Sequence, residues 1–217
     1  MIDLKPMYTS ESINYSKEEL LGNLITFSGL DGSGKTTQTE LLLQELGSKN
    51  TIKFSHKITQ NEEFYITLKY LYQHSKKIDQ KYISYLIAFE YLQFFINTVI
   101  YNLKLGNNVI LDRNVFDLYI EQRYMFSNDF EHGWDMLNSI MSFGVNIYLE
   151  ICPSEAYERI LSRGKAVKEH EKIENLTVRK RGYDLLVSNE NIHVFDASRS
   201  KEVIHQEIME LLKLKYA

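Results

Sequence analysis

The chain has 217 residues, 44% of them apolar and 25% charged, which is sufficient for one α/β domain with a sizeable core. The formal net charge of −4 excludes a global electrostatic attraction to nucleic acid or to a membrane surface. The single cysteine, Cys152, excludes an intramolecular disulfide and a zinc site built from several cysteines. Because Cys152 follows an apolar run, we expect a buried structural thiol.

The N-terminal residues are polar and charged and contain no apolar signal segment, which predicts an extension over residues 1–20. We expect a single domain over residues 21–217. The longest apolar stretch, Tyr82–Leu105, is interrupted by Glu90 and Gln93 among other polar residues. This pattern predicts a buried helix rather than a membrane span, and a cytoplasmic protein without a membrane or nucleic-acid partner.

Strand-like and helix-like segments alternate from Leu24 onward. The predicted strands are Leu24–Ser28, Ile52–Ser55, Val109–Leu111, Val145–Ile151 and Ile192–Phe195. The predicted helices are Thr36–Leu46, Glu63–His74, Gln80–Leu105, Asn114–Phe126, Phe130–Phe143, Pro153–Arg163, Asn175–Ser188 and Lys201–Lys213. This alternation predicts a parallel sheet covered by helices on both faces, with ligands bound at the carboxyl ends of the strands.

A phosphate-binding loop follows the first strand. Residues 29–37 match the pattern GxxxxGK[ST], between an apolar strand and an amphipathic helix. The residues expected to hold the phosphates of ATP are Gly29, Gly32, Ser33, Gly34, Lys35, Thr36 and Thr37. Lys35 is expected to contact the β- and γ-phosphates, and the Thr36 hydroxyl to coordinate Mg²⁺.

The third strand ends in Asp112-Arg113. A carboxylate beside the phosphate loop suits a partner of Mg²⁺, although an aspartate after a strand also commonly caps a helix. Arg113 would then lie in the cleft, where its guanidinium suits a bidentate contact with a substrate phosphate.

Lysines and arginines are dense between the helix at Pro153 and the helix near Leu176. A solvated charged loop explains most of them, but in a kinase such a segment also predicts a lid that closes over ATP. We place this lid near residues 159–175. Arg163 is the first candidate for stabilising transferred charge, and Arg159 is the second.

The chain resembles the thymidylate kinase family from about Leu24 to its C-terminus. The segment 27–38 is similar to the family's phosphate loop, 111–113 to the start of its Asp-Arg-Tyr motif, 148–156 to its fourth-strand segment and 194–198 to the loop that borders adenine. The resemblance implies a P-loop NTPase fold with a five-stranded parallel sheet, a homodimer, and ATP and Mg²⁺ as cofactors.

The same resemblance implies roles for individual residues. Asp31 would contact the 3′-hydroxyl of the acceptor sugar, Arg113 its phosphate, and Gln122 would match a family glutamine on the substrate side. Ala197 would border the adenine. Because Gly32 stands where some members have a basic residue, the catalytic arginine would come from the lid.

The acceptor side departs from the family pattern. The chain has only Pro6 and Pro153, so the family's Arg-Glu-Pro segment after the second strand is absent. Lys57 or His56 could supply a cation there. Asn114 replaces the tyrosine of the Asp-Arg-Tyr motif, and Tyr91 stands near a family Asp-Arg pair that helps to bind thymine.

Two aromatic residues are predicted to face the acceptor, Phe54 and Tyr91; most of the other aromatic residues in the two middle helices are expected in the core.

The leading interpretation is an ATP-dependent nucleoside monophosphate kinase whose acceptor is a (deoxy)nucleotide, with dTMP among the candidates. A kinase of a deoxynucleoside or another small alcohol is the alternative, although no carboxylate for a general base occurs in Ile52–Lys57. A catalytically silent nucleotide-binding module is the alternative from another class.

Overall fold

Five parallel strands form one sheet in the order β2-β3-β1-β4-β5. The computed structural model describes residues 20–55, 62–74, 79–125, 130–138, 140, 143–187 and 192–216. The strands are β1 (Leu24–Gly29), β2 (Thr51–Phe54), β3 (Asn108–Asp112), β4 (Val145–Glu150) and β5 (Ile192–Asp196). The predicted P-loop NTPase sheet is confirmed, and every strand ends within one residue of its predicted bounds.

Helices connect the strands and cover both faces of the sheet. They are α1 (Lys35–Leu46), α2 (Glu62–Gln73), α3 (Gln80–Phe94), α4 (Tyr101–Lys104), α5 (Val115–Ile120), α6 (Glu131–Leu137), α7 (Pro153–Leu161), α8 (Ile173–Leu186) and α9 (Lys201–Tyr216). A π-helical segment, Phe95–Ile100, joins α3 to α4, and a second one, Glu121–Met125, continues α5. The extension predicted for residues 1–20 falls almost wholly outside the described residues and stays a prediction.

Two apolar clusters lie on the two faces of the sheet. Val109 and Leu111 of β3 belong to the cluster under α3, whereas Ile110 belongs to the cluster under α1 and α9. This alternation follows from the period of two residues along a strand. Because both faces are covered, the central strands are apolar along nearly their whole length.

The long helical span Lys81–Lys104 passes through the first cluster. Among the described residues, it is the one helix with the length and apolar composition needed to cross a membrane. Its residues Ile83, Ile87, Tyr91 and Val99 are buried against the sheet and α6. We therefore interpret it as the central core helix of this domain, as the sequence predicted. Gly106, with φ 83°, follows it in a left-handed conformation that ends the helix.

Two features near the strand ends complete the fold. The Tyr216 hydroxyl at the end of α9 donates a hydrogen bond to the carbonyl of Leu24, at 2.9 Å, where β1 begins. Cys152 is exposed, so the expectation of a buried thiol is wrong. The apolar run ends at buried Ile151, and Cys152 already stands at the N-cap of α7, outside the sheet.

Two of the leucines near the end of α9 offer a test of this packing. Leu212 is 4% exposed in the second cluster, whereas Leu214 is 84% exposed. Leu212→Ala should lower the free energy of unfolding by about 2 to 4 kcal/mol because it leaves a cavity. Leu214→Ala should change it by no more than about 0.5 kcal/mol in chemical denaturation. Equal effects of the two substitutions would contradict the placement of α9.

Candidate active site

The loop between β1 and α1 is shaped to receive phosphate oxygens. A Cβ atom on Gly32 would lie 2.4 Å from the carbonyl oxygen of Ala156, so only glycine fits there. Gly34, with φ 93°, caps the N-terminus of α1. The Ser33 hydroxyl oxygen is buried without a hydrogen-bond partner in the part of the chain that the structure describes. Such an atom suits a ligand oxygen, so the loop fits the phosphates of a nucleotide.

The Lys35 side chain folds back onto this loop. Its Nζ donates hydrogen bonds to the carbonyl oxygens of Gly29, at 2.7 Å, and Leu30, at 2.8 Å. Burial, together with the nearby charge of Arg113, lowers the pKa of Lys35 to about 8. The lysine is therefore positioned beside the loop with a charge that a bound phosphate would stabilise.

Thr36 and Asp112 form the predicted metal pair. The strands β1 and β3 are neighbours, which places Asp112 opposite Phe27, directly below the loop. The Thr36 hydroxyl donates to Oδ2 of Asp112 at 3.1 Å. The described residues contain no group of three or more His, Cys, Asp or Glu side chains that could enclose a metal ion. This donor set fits Mg²⁺, which commonly uses one carboxylate, substrate phosphates and water.

Two arginines converge on Asp31. Nη2 of Arg113 donates to Oδ1 of Asp31 at 2.5 Å, and Nη1 of Arg179 donates to Oδ2 at 3.0 Å. Burial alone would raise the pKa of Asp31, but the charges of Arg113, Lys35 and Arg179 outweigh it and hold this pKa well below its usual range. Asp31 therefore carries a negative charge throughout the neutral pH range.

A buried polar network supports the turn that carries Arg113. The Asp117 carboxylate accepts hydrogen bonds from the Ser28 hydroxyl at 2.7 Å, the backbone N–H of Asn114 at 3.0 Å and the Tyr183 hydroxyl at 2.7 Å. Asn114 also caps α5 and bonds to Ser28 at 2.8 Å. Arg113 itself has φ 84°, a conformation that costs energy for a residue with a side chain. The network holds the turn in this conformation.

One cleft joins the loop to the acceptor side. It has a volume of about 1180 Å³. Its lining residues are Asp31, Gly32, Gly34, Lys35, Thr36, Thr37, Ser55, Tyr65, Leu68, Lys69, Gln73, Tyr91, Asp112, Arg113, Asn114, Asp117, Leu118, Glu121, Gln122, Arg163, Lys165, Lys168, His170, Glu171 and Arg179. Five of the seven predicted phosphate-loop residues and both predicted metal ligands are among them.

The two candidate lid arginines have different positions. Arg163 lines the cleft and lies 3.4 Å from the Glu171 carboxylate. Arg159 is paired with Glu155 at 2.7 Å and reaches the carbonyl of Ser198 at 3.4 Å, outside the cleft lining. Arg163 therefore lies in the cleft and Arg159 outside its lining, and the catalytic role of either stays a prediction.

Some of the other predicted site residues line the cleft and others lie outside its lining. Tyr91 and Gln122 are buried and line the cleft, and burial raises the pKa of Tyr91 far above its usual range. Phe54 packs edge-on against Phe94, with ring centroids 6.4 Å apart, and the cleft lining begins at its neighbour Ser55. Ala197 is buried after β5, where its amide donates to the Glu150 carbonyl at 2.8 Å. Lys57 and His56 lie outside the described residues.

The sequence interpretation did not single out Asp117, Glu121 or Arg179 for the site. Arg179 belongs to the run Arg179-Lys180-Arg181, which is typical of a solvated helix surface. Leu176 and Tyr183 are buried on the same helix, three residues before and four after Arg179. This helical spacing from two apolar residues is the signal in the sequence that would have predicted Arg179 on the inner face of α8.

The sheet, the strand-loop-helix cradle and the paired Thr36 and Asp112 define a P-loop phosphotransferase. The family model described as "Thymidylate kinase" matches residues 27–208. The thymidylate kinase of Bacillus pumilus is 26% identical over 206 residues, covering 88% of this chain and 95% of the relative. The probable thymidylate kinase of Pyrococcus abyssi is 28% identical over 203 residues, covering 88% and 96%. The chain belongs to the thymidylate kinase family, and this membership supports the class of nucleoside monophosphate kinases.

The lowered pKa of Lys35 predicts how nucleotide affinity depends on pH. Only the protonated amine attracts a phosphate, and its folded-state pKa of about 8 lies below the usual value of 10.5. The affinity for ATP should therefore fall by about tenfold as the pH rises from about 7 to about 9, in isothermal titration calorimetry. Lys35→Ala should bind ATP more weakly and lose this pH dependence. An equal pH dependence in both proteins would exclude Lys35 as its source.

Proposed function

We propose that this phosphotransferase transfers the γ-phosphoryl group of ATP, with Mg²⁺, to the phosphate of a nucleoside monophosphate. The observation that carries the proposal is the meeting of Lys35 and Arg113 in one cleft, on either side of Asp31. A donor loop and an acceptor-side arginine in one cavity of about 1180 Å³ leave room for two nucleotides end to end. Because both relatives are named as thymidylate kinases, dTMP is the first candidate acceptor.

The chain's own residues position the reactants and neutralise their charge. The loop amides and Lys35 would hold the β- and γ-phosphates, while Arg113 would hold the acceptor phosphate in line with them. Thr36 and Asp112 would hold Mg²⁺, which when bound neutralises charge on the phosphate oxygens. Arg163 would approach the transferred group from the lid and exclude water. The acceptor phosphate is already ionised, so the transfer needs no general base.

The side chains at the acceptor end of the cleft do not select a single nucleobase, so several nucleotides need to be tested as acceptors. Its walls there include Tyr65, Lys69 and Gln73 of α2 and Tyr91 of α3. These side chains offer hydroxyl, ammonium and amide groups, which can bond to any pyrimidine but lack the forked guanidinium of an arginine. Phe54, the last residue of β2, and Lys57, in the segment after it, are proposed to border the same end.

The alternative of an alcohol kinase lacks support at the end of β2. A hydroxyl acceptor needs a carboxylate there to take its proton, and the sequence from Thr51 to Asn61 contains no acidic residue. Asp31 and Asp117 are both occupied by arginine, tyrosine or serine donors, so neither is poised as a base.

A panel of acceptors tests the function. Purified protein with ATP and Mg²⁺ should phosphorylate at least one of dTMP, dUMP, dCMP, UMP and CMP, and none of the corresponding nucleosides. Lys35→Ala should lower kcat by at least about 100- to 1000-fold because the loop loses its charge on the transferred group. Lys213→Ala, an exposed lysine on α9, is the matched control and should be unaffected. Turnover of nucleosides alone would establish the alcohol kinase, and ATP binding without any turnover the silent module.

We further propose that the protein is a cytoplasmic homodimer. Tyr82, Tyr85, Leu86 and Phe89 form an apolar stripe on the outer side of α3, each between 40% and 56% exposed. Their spacing of three and four residues places them on one face of the helix. A contiguous apolar stripe of this kind on a single chain suits a self-complementary contact with a second copy.

Phe89→Glu should disrupt this dimer because it places a charge within the apolar stripe. The dissociation constant should rise by at least about tenfold, which corresponds to about 1.4 kcal/mol, in analytical ultracentrifugation. Leu214→Glu, at a more exposed apolar position on α9, should leave the dimer intact. A Phe89→Glu protein that sediments like the unmodified chain would place the contact elsewhere.

A further inference from the structure

Arginine is distributed unevenly along this chain. The first 112 residues contain none, and the first arginine is Arg113 at the end of β3. Neither β2, α2 nor α3 can therefore supply a guanidinium to the acceptor's phosphate. Among the residues that line the cleft, the arginines are Arg113, Arg163 and Arg179. Arg163 belongs to the lid, which leaves Arg179 as the second arginine beside Arg113.

Arg113 and Arg179 are arranged around a single anion. They bind different oxygens of the Asp31 carboxylate, at 2.5 and 3.0 Å, so their guanidinium groups face the same point from two elements of the fold. A phosphate monoester offers the same pattern of paired oxygens to forked donors. Asp31 therefore occupies a position between the arginines that resembles one edge of a phosphate.

Arg179 retains donor capacity that the fold does not use. Its side chain is 9% exposed, and its Nε is buried without a hydrogen-bond partner among the described residues. Nη2 lies 4.0 Å from the Glu121 carboxylate, beyond hydrogen-bond distance. A buried guanidinium with an unmade bond is costly, and in a cleft it indicates a ligand that completes the set.

The elements that hold both arginines are rigid. Arg113 is anchored by its amide, which donates to the Phe27 carbonyl at 2.9 Å, and its Nη1 lies 3.5 Å from Asp117. Arg179 projects from the same face of α8 as Tyr183, whose hydroxyl donates to Asp117 at 2.7 Å and lies 3.2 Å from the Gly29 carbonyl oxygen. Asp117 thus connects both arginine-bearing elements to the phosphate loop.

We propose that Arg113 and Arg179 together bind the phosphate of the acceptor, and that Asp31 holds the two guanidinium groups in place until that phosphate binds. This inference rests on the proposed function. It assigns the second phosphate contact to α8, in place of the arginine that the segment after β2 lacks.

The test compares a nucleotide with its own nucleoside. The probe pair is the 5′-monophosphate of the panel that the unmodified protein binds most tightly and the corresponding nucleoside, both measured by isothermal titration calorimetry. Arg179→Ala should weaken binding of the nucleotide by about 10- to 100-fold, as expected for a charge-assisted contact, and change that of the nucleoside by less than about twofold. The KM for ATP should be unchanged.

Two further variants separate this role from a structural one. Arg179→Lys keeps the charge but not the fork, so its loss of nucleotide affinity should be intermediate. Arg181→Ala removes an exposed arginine from the same helix and should match the unmodified protein. Thermal unfolding of each variant reports whether α8 is intact.

The outcomes distinguish this inference from the function on which it rests. Equal weakening of nucleotide and nucleoside, or a rise in the KM for ATP alone, would overturn the role of Arg179 and leave the kinase function standing. If the unmodified protein bound no nucleotide of the panel, both proposals would be wrong. A protein that bound nucleotides without turning them over, with the phosphate-dependent loss in Arg179→Ala, would support the two-arginine contact and refute the kinase function.

Discussion

The charge of Asp31 connects three separate parts of this fold. The residue lies in the loop after β1, yet its oxygens bind Arg113 from the end of β3 and Arg179 from α8. Removing a carboxylate from water is costly, and only the surrounding cations keep this one ionised. The burial of each arginine would also be costly without this carboxylate. The phosphate loop, the acceptor turn and the helix after the lid are therefore fixed relative to one another by one shared anion.

A second carboxylate, Asp117, stabilises this arrangement through its hydrogen bonds. It is almost fully buried and receives donors from β1, from α8 and from its own helix cap. Arg113 pairs with the same carboxylate at 3.5 Å, and satisfied polar networks of this kind specify a single geometry. The left-handed backbone of Arg113 is stable because these bonds leave the turn little freedom. Positioning of the reactants, on which phosphoryl transfer depends, thus begins with a buried network at the wall of the cleft.

The sequence predicted the fold closely because its signals are local. Continuous apolar runs marked the strands, and the glycine pattern before Lys35 marked the loop with its strand and helix. The site was harder to predict where side chains meet across the sheet. Arg179 stands in a cationic run, and its helical spacing from the apolar residues Leu176 and Tyr183 was the one local sign that this charge points inward. The prediction of a buried Cys152 was wrong because an apolar run does not show at which residue the chain leaves the sheet.

The bond between the Tyr216 hydroxyl and Leu24 has a practical consequence for handling the protein. It joins the last helix to the amino end of β1, whereas the phosphate loop begins at the carboxyl end of the same strand. Six residues of strand separate the two ends by about 20 Å. An affinity tag, a fluorophore or a surface tether attached beyond Tyr216 would thus lie at the amino ends of the strands, on the side of the sheet away from the cleft. Nucleotides would still enter the cleft freely in an immobilised or labelled form of the enzyme.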